Sequence, residues 1–442
     1  MSILGKVLIV LENRPASADT RIWAIVMALV VYGFEVSVIS PNAKTLNPFG
    51  FSLYNTSRRG WAWLRRNIDP LEDTEIKNAT YNCNARAYPP GVHLYSYRQP
   101  RSSKGQASYL FEYVLSMCQT WWLSLYVWRK HGFDVIHAAN PPDSFFFLSW
   151  FYRPFGKRFI FDLHDLAPEL FQAKFGKRTR FLLPLLYWLE KRSCVAANLI
   201  LTTNKSQKEK IIERAGCPPE KVHIVRNGPD LNRLYRVPAE PALKRGFPFL
   251  LVYLGNMESQ DGIEYALRVM HELVFIHGRK DVLLALLGDG GHLPELQELA
   301  RDLSLEAFVY FTGWVSDQKI RRYLSTADIG LCPDPHNGVN ELSTTIKSME
   351  YMAMSLPCVA FDLKETRVTM REAALYATPN SVQDFARQIL RLLDDPASRA
   401  SRGQEGRIRI ETYLSWDHAR RNLLGAYATL FPALHTDSRS IF

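Results

Sequence analysis

Apolar positions along the chain fall into short continuous runs, separated by stretches in which they recur every three or four residues. The first is Lys6 to Leu11, read as a strand, followed by a polar loop from Glu12 to Asp19. Helical spacing from Arg21 to Tyr32 ends at Gly33, and Glu35 to Ile39 is a second strand. This βαβ opening is the usual entrance to a doubly wound parallel sheet. From Pro41 to Pro90 the pattern is irregular, with one short helical candidate at Trp61 to Arg66. A loop of that length in a compact domain is usually functional or mobile, and acceptor or membrane contacts are expected there. A strand at Val92 to Tyr97 and a helix from about Ser108 to Lys130 follow. Asp134 to Leu148 and Arg158 to Phe171 then each give a strand ending in a polar loop with a histidine. A helix from about Thr179 to Cys194 leads to a strand at Asn198 to Thr202. Thr203, Asn204 and Ser206 open a helix that Gly216 stops. His223 to Asn227 reads as a strand, and the proline-rich Val237 to Pro248 as a linker.

The alternation then restarts. Strands are predicted at Phe249 to Leu254, Val282 to Leu287 and Phe308 to Phe311, and helices at Gly262 to His277, Leu293 to Leu303 and Ser316 to Ser325. Val382 to Leu393, Ala397 to Thr412 and Trp416 to Leu430 also look helical. Two βα-repeating halves predict an α/β protein of two facing Rossmann-like domains with an interdomain cleft. A chain of 442 residues is too long for one ordinary core.

The stretch from Asp328 to Asp362 carries the most chemistry. It reads as strand (Ile329 to Cys332), polar loop, helix through Lys347 and Glu350, and strand (Cys358 to Phe361). Strand carboxyl ends face the ligand crevice in such sheets, and a helix starting there offers unpaired N–H groups to an anion such as diphosphate. Ser343, Thr344 and Thr345 open the helix. Lys347 and Glu350, three apart, share one helical face, and a cation beside a carboxylate suits phosphate oxygens and sugar hydroxyls together. A solvated surface pair is the common alternative at this spacing.

The run NELSTTIKSMEYMAMSLPCVAFD (residues 340–362) resembles the donor-binding segment of family 4 of the retaining GT-B glycosyltransferases, in the bacterial polysaccharide and cell-envelope subgroup. The resemblance implies that Glu350 holds the ribose of a nucleoside diphosphate sugar and Lys347 the diphosphate. It places Ser343 and Thr344 on the sugar side, and gives Gly313 and Val315, in FTGWV, to the nucleobase. His164 is assigned to the reacting centre, so His164, Glu350 and Lys347 are the expected catalytic set. In the first half, Asp19, Arg21, His137 and Asp165 are further candidates, with helix capping the plain alternative for Asp19. NGPD (Asn227 to Asp230) resembles the segment leaving the first domain, and a terminal helix crossing back is the family's habit. The expected domains are residues 1–236 for the acceptor, 237–415 for the nucleotide-sugar, and a returning helix in 416–442.

Two departures from the family pattern stand out. The second Glu expected eight residues before Glu350 is Leu342 here, with Glu341 one step away as its substitute. In GNMESQDG (Gly255 to Gly262), Asn256 and Asp261 stand where the family places an Arg and a Lys against the diphosphate. The first loop lacks G-x-G-x-x-G, which argues against a dinucleotide cofactor at that turn.

Net charge is +10, and the excess lies in the first half: roughly 31 Lys/Arg against 18 Asp/Glu in residues 1–235, and roughly 23 against 26 afterwards. RRGWAWLRRN (Arg58 to Asn67) and KRTRFLLPLLYWLEKR (Lys177 to Arg192) mix basic and aromatic residues, which favours an anionic membrane surface over nucleic acid. A core helix with solvated flanks is the alternative for the second. Six dispersed cysteines without a C-x-x-C pair read as reduced thiols. No metal and no cofactor is expected beyond the nucleotide-sugar substrate. The expected protein is a metal-independent retaining glycosyltransferase of cell-envelope or exopolysaccharide synthesis, using a saccharide or lipid-linked acceptor. It is expected in the cytoplasm or peripherally at the inner face of the plasma membrane. An inactive glycosyltransferase-like binding subunit and a GT-B nucleotide-sugar epimerase are the alternatives.

Overall fold

Both halves of that alternation close into parallel sheets in the computed structural model, which describes residues 3–12, 15–16, 19–41, 52–53, 89–97, 106–176 and 181–431. The helix candidate at Trp61 to Arg66, the RRGWAWLRRN stretch, most of the 41–90 loop, Lys177 to Arg180 and residues 432–442 lie outside the described residues. By its contacts the chain divides into one unit of residues 1–225 with 420–442, and a second of 226–419.

Among the described residues, the first unit holds strands β1 (Gly5–Val10), β2 (Phe34–Pro41), β3 (Ser52–Leu53), β4 (Val92–Tyr97), β5 (Val135–Ala139), β6 (Arg158–Leu163), β7 (Leu199–Thr202) and β8 (Val222–Ile224). Their order is β3-β4-β2-β1-β5-β6-β7-β8, all parallel except β3 against β4. The order reverses between β1 and β5, and that switch point is where such sheets place ligands. Helices cover both faces, so the central strands are buried on both sides and read as continuous apolar runs. The helix Thr20–Val31 is started by Asp19, whose carboxylate accepts from the Ile22 amide at 2.9 Å.

The second unit holds β9 (Phe249–Leu254), β10 (Val282–Leu287), β11 (Val309–Gly313), β12 (Ile329–Cys332), β13 (Cys358–Phe361) and β14 (Ala374–Ala377), in the order β11-β10-β9-β12-β13-β14, all parallel. Its switch point lies between β9 and β12. Tyr351 spans it from below: its buried hydroxyl accepts the Leu254 amide at 2.7 Å, tying the helix Ile346–Ala353 to the end of β9.

Several elements differ from the sequence expectation. Residues 226–236 pack with the second unit, because Leu234 enters its core and Arg233 binds its acids. The stretch 237–248 is docked rather than slack: the amides of Val237 and Glu240 donate to Ser325 and Thr326 at 3.0 and 2.9 Å. Phe146–Tyr152 is a helix, not the tail of a strand. The helix from Gly262 becomes α-helix Ile263–His271 followed by a π-turn at Glu272–Ile276, and the next-to-last helix ends likewise in a π-turn at Ile410–Leu414. Helix Ile346–Ala353 begins one residue past Thr345, so Ser343 and Thr344 lie in the turn before it.

Candidate active site

In the first unit, the carboxyl ends of β5 and β6 meet at Asp162, which has no solvent exposure. Arg21, from the helix after β1, grips it with both nitrogen arms: Nη2 to Oδ1 at 2.6 Å and Nε to Oδ2 at 3.2 Å. Its Nη1 donates to the Val225 carbonyl at 2.6 Å. On the other side His137 Nε2 lies 3.2 Å and His164 Nε2 2.9 Å from Asp162 Oδ2. His137 is fully buried, with Nδ1 2.7 Å from the Tyr427 hydroxyl. It therefore braces the carboxylate and does not reach solvent. His164 alone of this group keeps a solvent-facing edge, with its side chain 16% exposed.

Burial alone would drive both charges of this pair out of existence, yet the pairing reverses that. Burial pushes Asp162 up, but Arg21, His164 and His137 together hold it well below the usual carboxylate range. Burial pushes His164 down, but the Asp162 carboxylate outweighs it and the imidazole's pKa is raised. The backbone of the His164 turn is fixed by Asn140, whose Oδ1 accepts from the amides of His164 (2.7 Å) and Asp165 (3.3 Å). Asn140 Nδ2 donates to the Asp165 carbonyl at 2.7 Å and to Asp143 Oδ1 at 2.8 Å, so both ends of the buried amide are used. The result is an oriented imidazole at a strand end whose protonated form is favoured by Asp162, able to sit against negative charge or give up a proton.

In the second unit, Lys347 and Glu350 are both buried, at 7% and 8% exposure, which removes the surface-pair alternative. They take different partners. Lys347 Nζ lies 2.5 Å from Asp334 Oδ1 and over the Tyr253 ring at 5.2 Å. Burial opposes its charge, but Asp334 prevails and its pKa is raised. Glu350 binds Arg233, which also donates to Asp317 Oδ1 at 2.8 Å. Burial raises the Glu350 carboxyl while Arg233 pulls it back, leaving it above the ordinary range. Asp261 faces the same Lys347–Asp334 pair, and burial lifts its carboxyl to about 6 against the pull of Lys347.

The remaining candidates take other hydrogen-bond partners, and of them Asp19 is near enough to help raise the His164 imidazole. Gly313 ends β11 at a register shift with φ +65°, a conformation that favours glycine, and its carbonyl accepts from the Gly288 amide at 3.1 Å. Val315 is buried beside it, whereas Trp314 is exposed. Glu341 Oε1 accepts from the Lys364 amide at 3.3 Å and Thr344 Oγ1 lies 3.5 Å from Glu365 Oε2. The Ser343 amide donates to Asn340 at 3.4 Å. Asp19 serves as the helix cap described above. Asp334, between Pro333 and Pro335, has its carboxylate turned inward to Lys347, because a buried ammonium needs a counter-charge. Arg233, Asn140 and Tyr427 drew no attention in the sequence. Arg233 stands 117 residues from Glu350 and Tyr427 290 residues from His137, and no local pattern marks such pairings.

Two doubly wound sheets in one chain, each with ligand-type side chains at its switch point, define the GT-B class. Superposition agrees: sucrose-phosphate synthase from Thermosynechococcus elongatus matches over 97% of this chain and 100% of that one, with TM-score 0.74 and 17% identity. Anabaena HepE in complex with UDP-glucose matches over 96% and 100% with TM-score 0.66 and 16% identity. WaaG, a glycosyltransferase involved in lipopolysaccharide biosynthesis, matches over 94% and 98% with TM-score 0.63 and 14% identity. Residues 88–233 match the family described as Glycosyltransferase Family 4, and residues 248–395 that described as Glycosyl transferases group 1. The chain belongs to glycosyltransferase family 4. Among curated relatives, alpha-maltose-1-phosphate synthase of Mycobacterium tuberculosis is 24% identical over 263 residues, 54% of this chain and 65% of that protein. O-antigen chain mannosyltransferase B of Escherichia coli is 23% identical over 241 residues, 53% and 61% of the two chains. The chain thus spans less than two thirds of the length of these relatives.

Proposed function

We propose that this chain transfers a glycosyl group from a nucleoside diphosphate sugar to a saccharide or lipid-linked acceptor, with retention and without a metal, in cell-envelope or exopolysaccharide synthesis. The observation that carries this is the burial of Lys347 and Glu350 on the first two turns of helix Ile346–Ala353, at the carboxyl end of β12, in a family 4 chain. Support for the donor comes from HepE, whose solved complexes hold UDP and UDP-glucose. Support for the cell-envelope setting comes from the names of WaaG and the O-antigen mannosyltransferase.

On this reading the N-terminal amides of that helix face the diphosphate, since they point positive potential along its axis. Arg233 holds one Glu350 oxygen and so aims the carboxylate for the ribose hydroxyls. Ser343, Thr344 and Glu341 take the sugar side, and Gly313 and Val315 the base. As the glycosidic bond breaks, positive charge builds on the sugar and negative charge on the departing phosphate oxygen. His164, held by Asp162 and with its pKa raised, is the residue of the first unit given to the reacting centre on this reading. The exposed aromatics Trp122, Phe147, Trp150, Phe155 and Trp188 support a peripheral membrane contact of the first unit. No helix among the described residues is long and apolar enough to cross a membrane.

A second reading, an inactive glycosyltransferase-like binding subunit, is favoured by Asn256 and Asp261. Asp261 places a carboxyl within electrostatic reach of Lys347, its Oδ2 accepting from the Glu258 amide at 3.1 Å, where the family pattern has a lysine. Incubation with a panel of nucleotide sugars decides between them. Release of nucleoside diphosphate by wild type, reduced at least about tenfold in Glu350→Gln and His164→Asn, supports transfer. Binding that raises the melting temperature without turnover, in the presence of membrane-extracted acceptors, supports the subunit. Conversion to an epimeric nucleotide sugar would indicate an epimerase.

A further inference from the structure

The amino ends of β2 and β4 lie at the opposite edge of the first sheet from His164, and a second cluster of titratable side chains gathers there. Register places Ser37 opposite His93, so Glu35, two residues before Ser37, shares a face with His93. His131 immediately follows the helix Gln106–Lys130 and comes down on the same face. The two imidazoles stack with centroids 3.9 Å apart and planes 19° from parallel. His93 Nε2 lies 3.0 Å and His131 Nδ1 3.6 Å from the same oxygen, Glu35 Oε1. All three atoms fall within 4.8 Å of one another.

We propose that Glu35 Oε1, His93 Nε2 and His131 Nδ1 bind a divalent cation of the zinc class, leaving a fourth position open to water. Four ligands at ~2.0–2.1 Å around a tetrahedral ion stand about 3.3 Å apart, and the two nitrogen–oxygen separations of 3.0 and 3.6 Å bracket that value; the stacked rings aim their lone pairs nearly parallel, so one imidazole turns out of the stack as the ion binds. Two imidazoles and one carboxylate are a donor set that suits zinc and its neighbours, and not magnesium or calcium. The outer contacts are those a metal site uses. His131 Nε2 lies 2.7 Å from the Tyr95 hydroxyl, which orients the ring with Nδ1 toward Glu35. Lys6 Nζ is 3.3 Å from the other carboxylate oxygen, Glu35 Oε2, and donates to the His131 carbonyl at 2.6 Å, so Oε1 alone is directed at the imidazoles. His93 Nδ1 is buried with no hydrogen-bond partner, so the occupant of its Nε2 side sets its tautomer. The cluster ties two strands to the end of the long helix, and its role is structural: it clamps the amino edge of the sheet without taking part in glycosyl transfer. The Lys6 ammonium opposes an incoming cation, so its removal should strengthen binding.

The test uses the full chain stripped with chelator. Zinc titrated against a chromogenic chelator should show one tight equivalent, and cobalt in its place should give the strong visible bands of a four-coordinate ion without a thiolate charge-transfer band. His93→Asn and His131→Asn should each weaken binding about tenfold or more, and Lys6→Met should strengthen it. Wild-type cobalt showing only the weak six-coordinate spectrum would overturn the site. So would zinc stoichiometry and affinity unchanged in the His93→Asn/His131→Asn double variant. Should that variant not fold, the wild-type cobalt spectrum alone decides.

Discussion

Asp162, itself without solvent exposure, receives two contacts from Arg21 and one each from His137 and His164. Breaking one partner of a buried charge pair leaves the other uncompensated, a loss of about 3–5 kcal/mol. Asp162→Asn is therefore expected to lower unfolding stability by that amount in urea titrations. It should also move the His164 imidazole from above the ordinary histidine value to below it, because burial and the Arg21 charge then outweigh the opposing pull of Asp19, and NMR titration of the ring reads this directly. The stabilisation that His164 draws from its charge is full at low pH and lost as pH rises through its raised folded value. The contribution of Asp162 is present above the ordinary carboxylate range and lost as pH falls through its depressed one. Arg233 poses the same question for Glu350. Arg233→Met should cost about 3–5 kcal/mol, and Glu350 should then take up a proton, abolishing the melting-temperature rise produced by a bound nucleotide sugar. Arg233→Lys, which keeps the charge but not the two-armed reach to Asp317, should restore part of it.

Elements set how close these residues can come. The turn ending in Gly262 presses against the loop after β12: a β-carbon there would stand 2.1 Å from the Pro333 carbonyl oxygen, and φ is +74°. Gly262→Ala is expected to destabilise by more than about 1 kcal/mol and to shift Asp334 away from Lys347, which a denaturation curve and the donor-binding shift together would register. The glycine was visible in the sequence within GNMESQDG, but the contact that requires it was not, since Pro333 arrives from the loop after β12, 71 residues on. Strands buried on both faces were the most legible elements, because their apolar runs have no competing explanation. The helix Lys364–Met370 and strand β14 escaped notice: the helix has seven residues and no side-chain cap, and Ala374–Ala377 is a short edge strand half open to its surroundings. At the site, Lys347, Glu350 and His164 could be picked out because their motif is local. The partner of Glu350 could not, since Arg233 stands 117 residues away, and neither could the grip of Arg21 on Asp162, 141 residues apart, which only the sheet order makes neighbours.

At the scale of the whole molecule, acids buried in the first unit bear on stability as much as the basic surplus does. Asp143 is held to about 7 and Glu190 to about 8, each chiefly by burial. Arg214 reaches Glu190 at 2.9 Å and also Glu169, whereas the Asp143 carboxyl accepts from Asn140 through Oδ1 and its Oδ2 is buried without a hydrogen bond. A carboxyl whose folded value is raised binds protons in the native state that the unfolded chain has released, so its ionisation opposes folding. Stability is thus expected to fall as pH climbs from about 4 through 8, and to level off above. Calorimetric melting temperatures should peak on the acid side of neutrality. Asp143→Asn keeps an acceptor for Asn140 and removes the titrating group, so it should flatten the decline while leaving the melting temperature at mildly acid pH nearly unchanged. Because Asn140 also holds the His164 and Asp165 amides, ionisation of Asp143 pulls on the same side chain that orients the imidazole turn. Loss of donor turnover in step with the calorimetric decline, in wild type but not in Asp143→Asn, would show that the core acid and the strand-end histidine titrate as one unit.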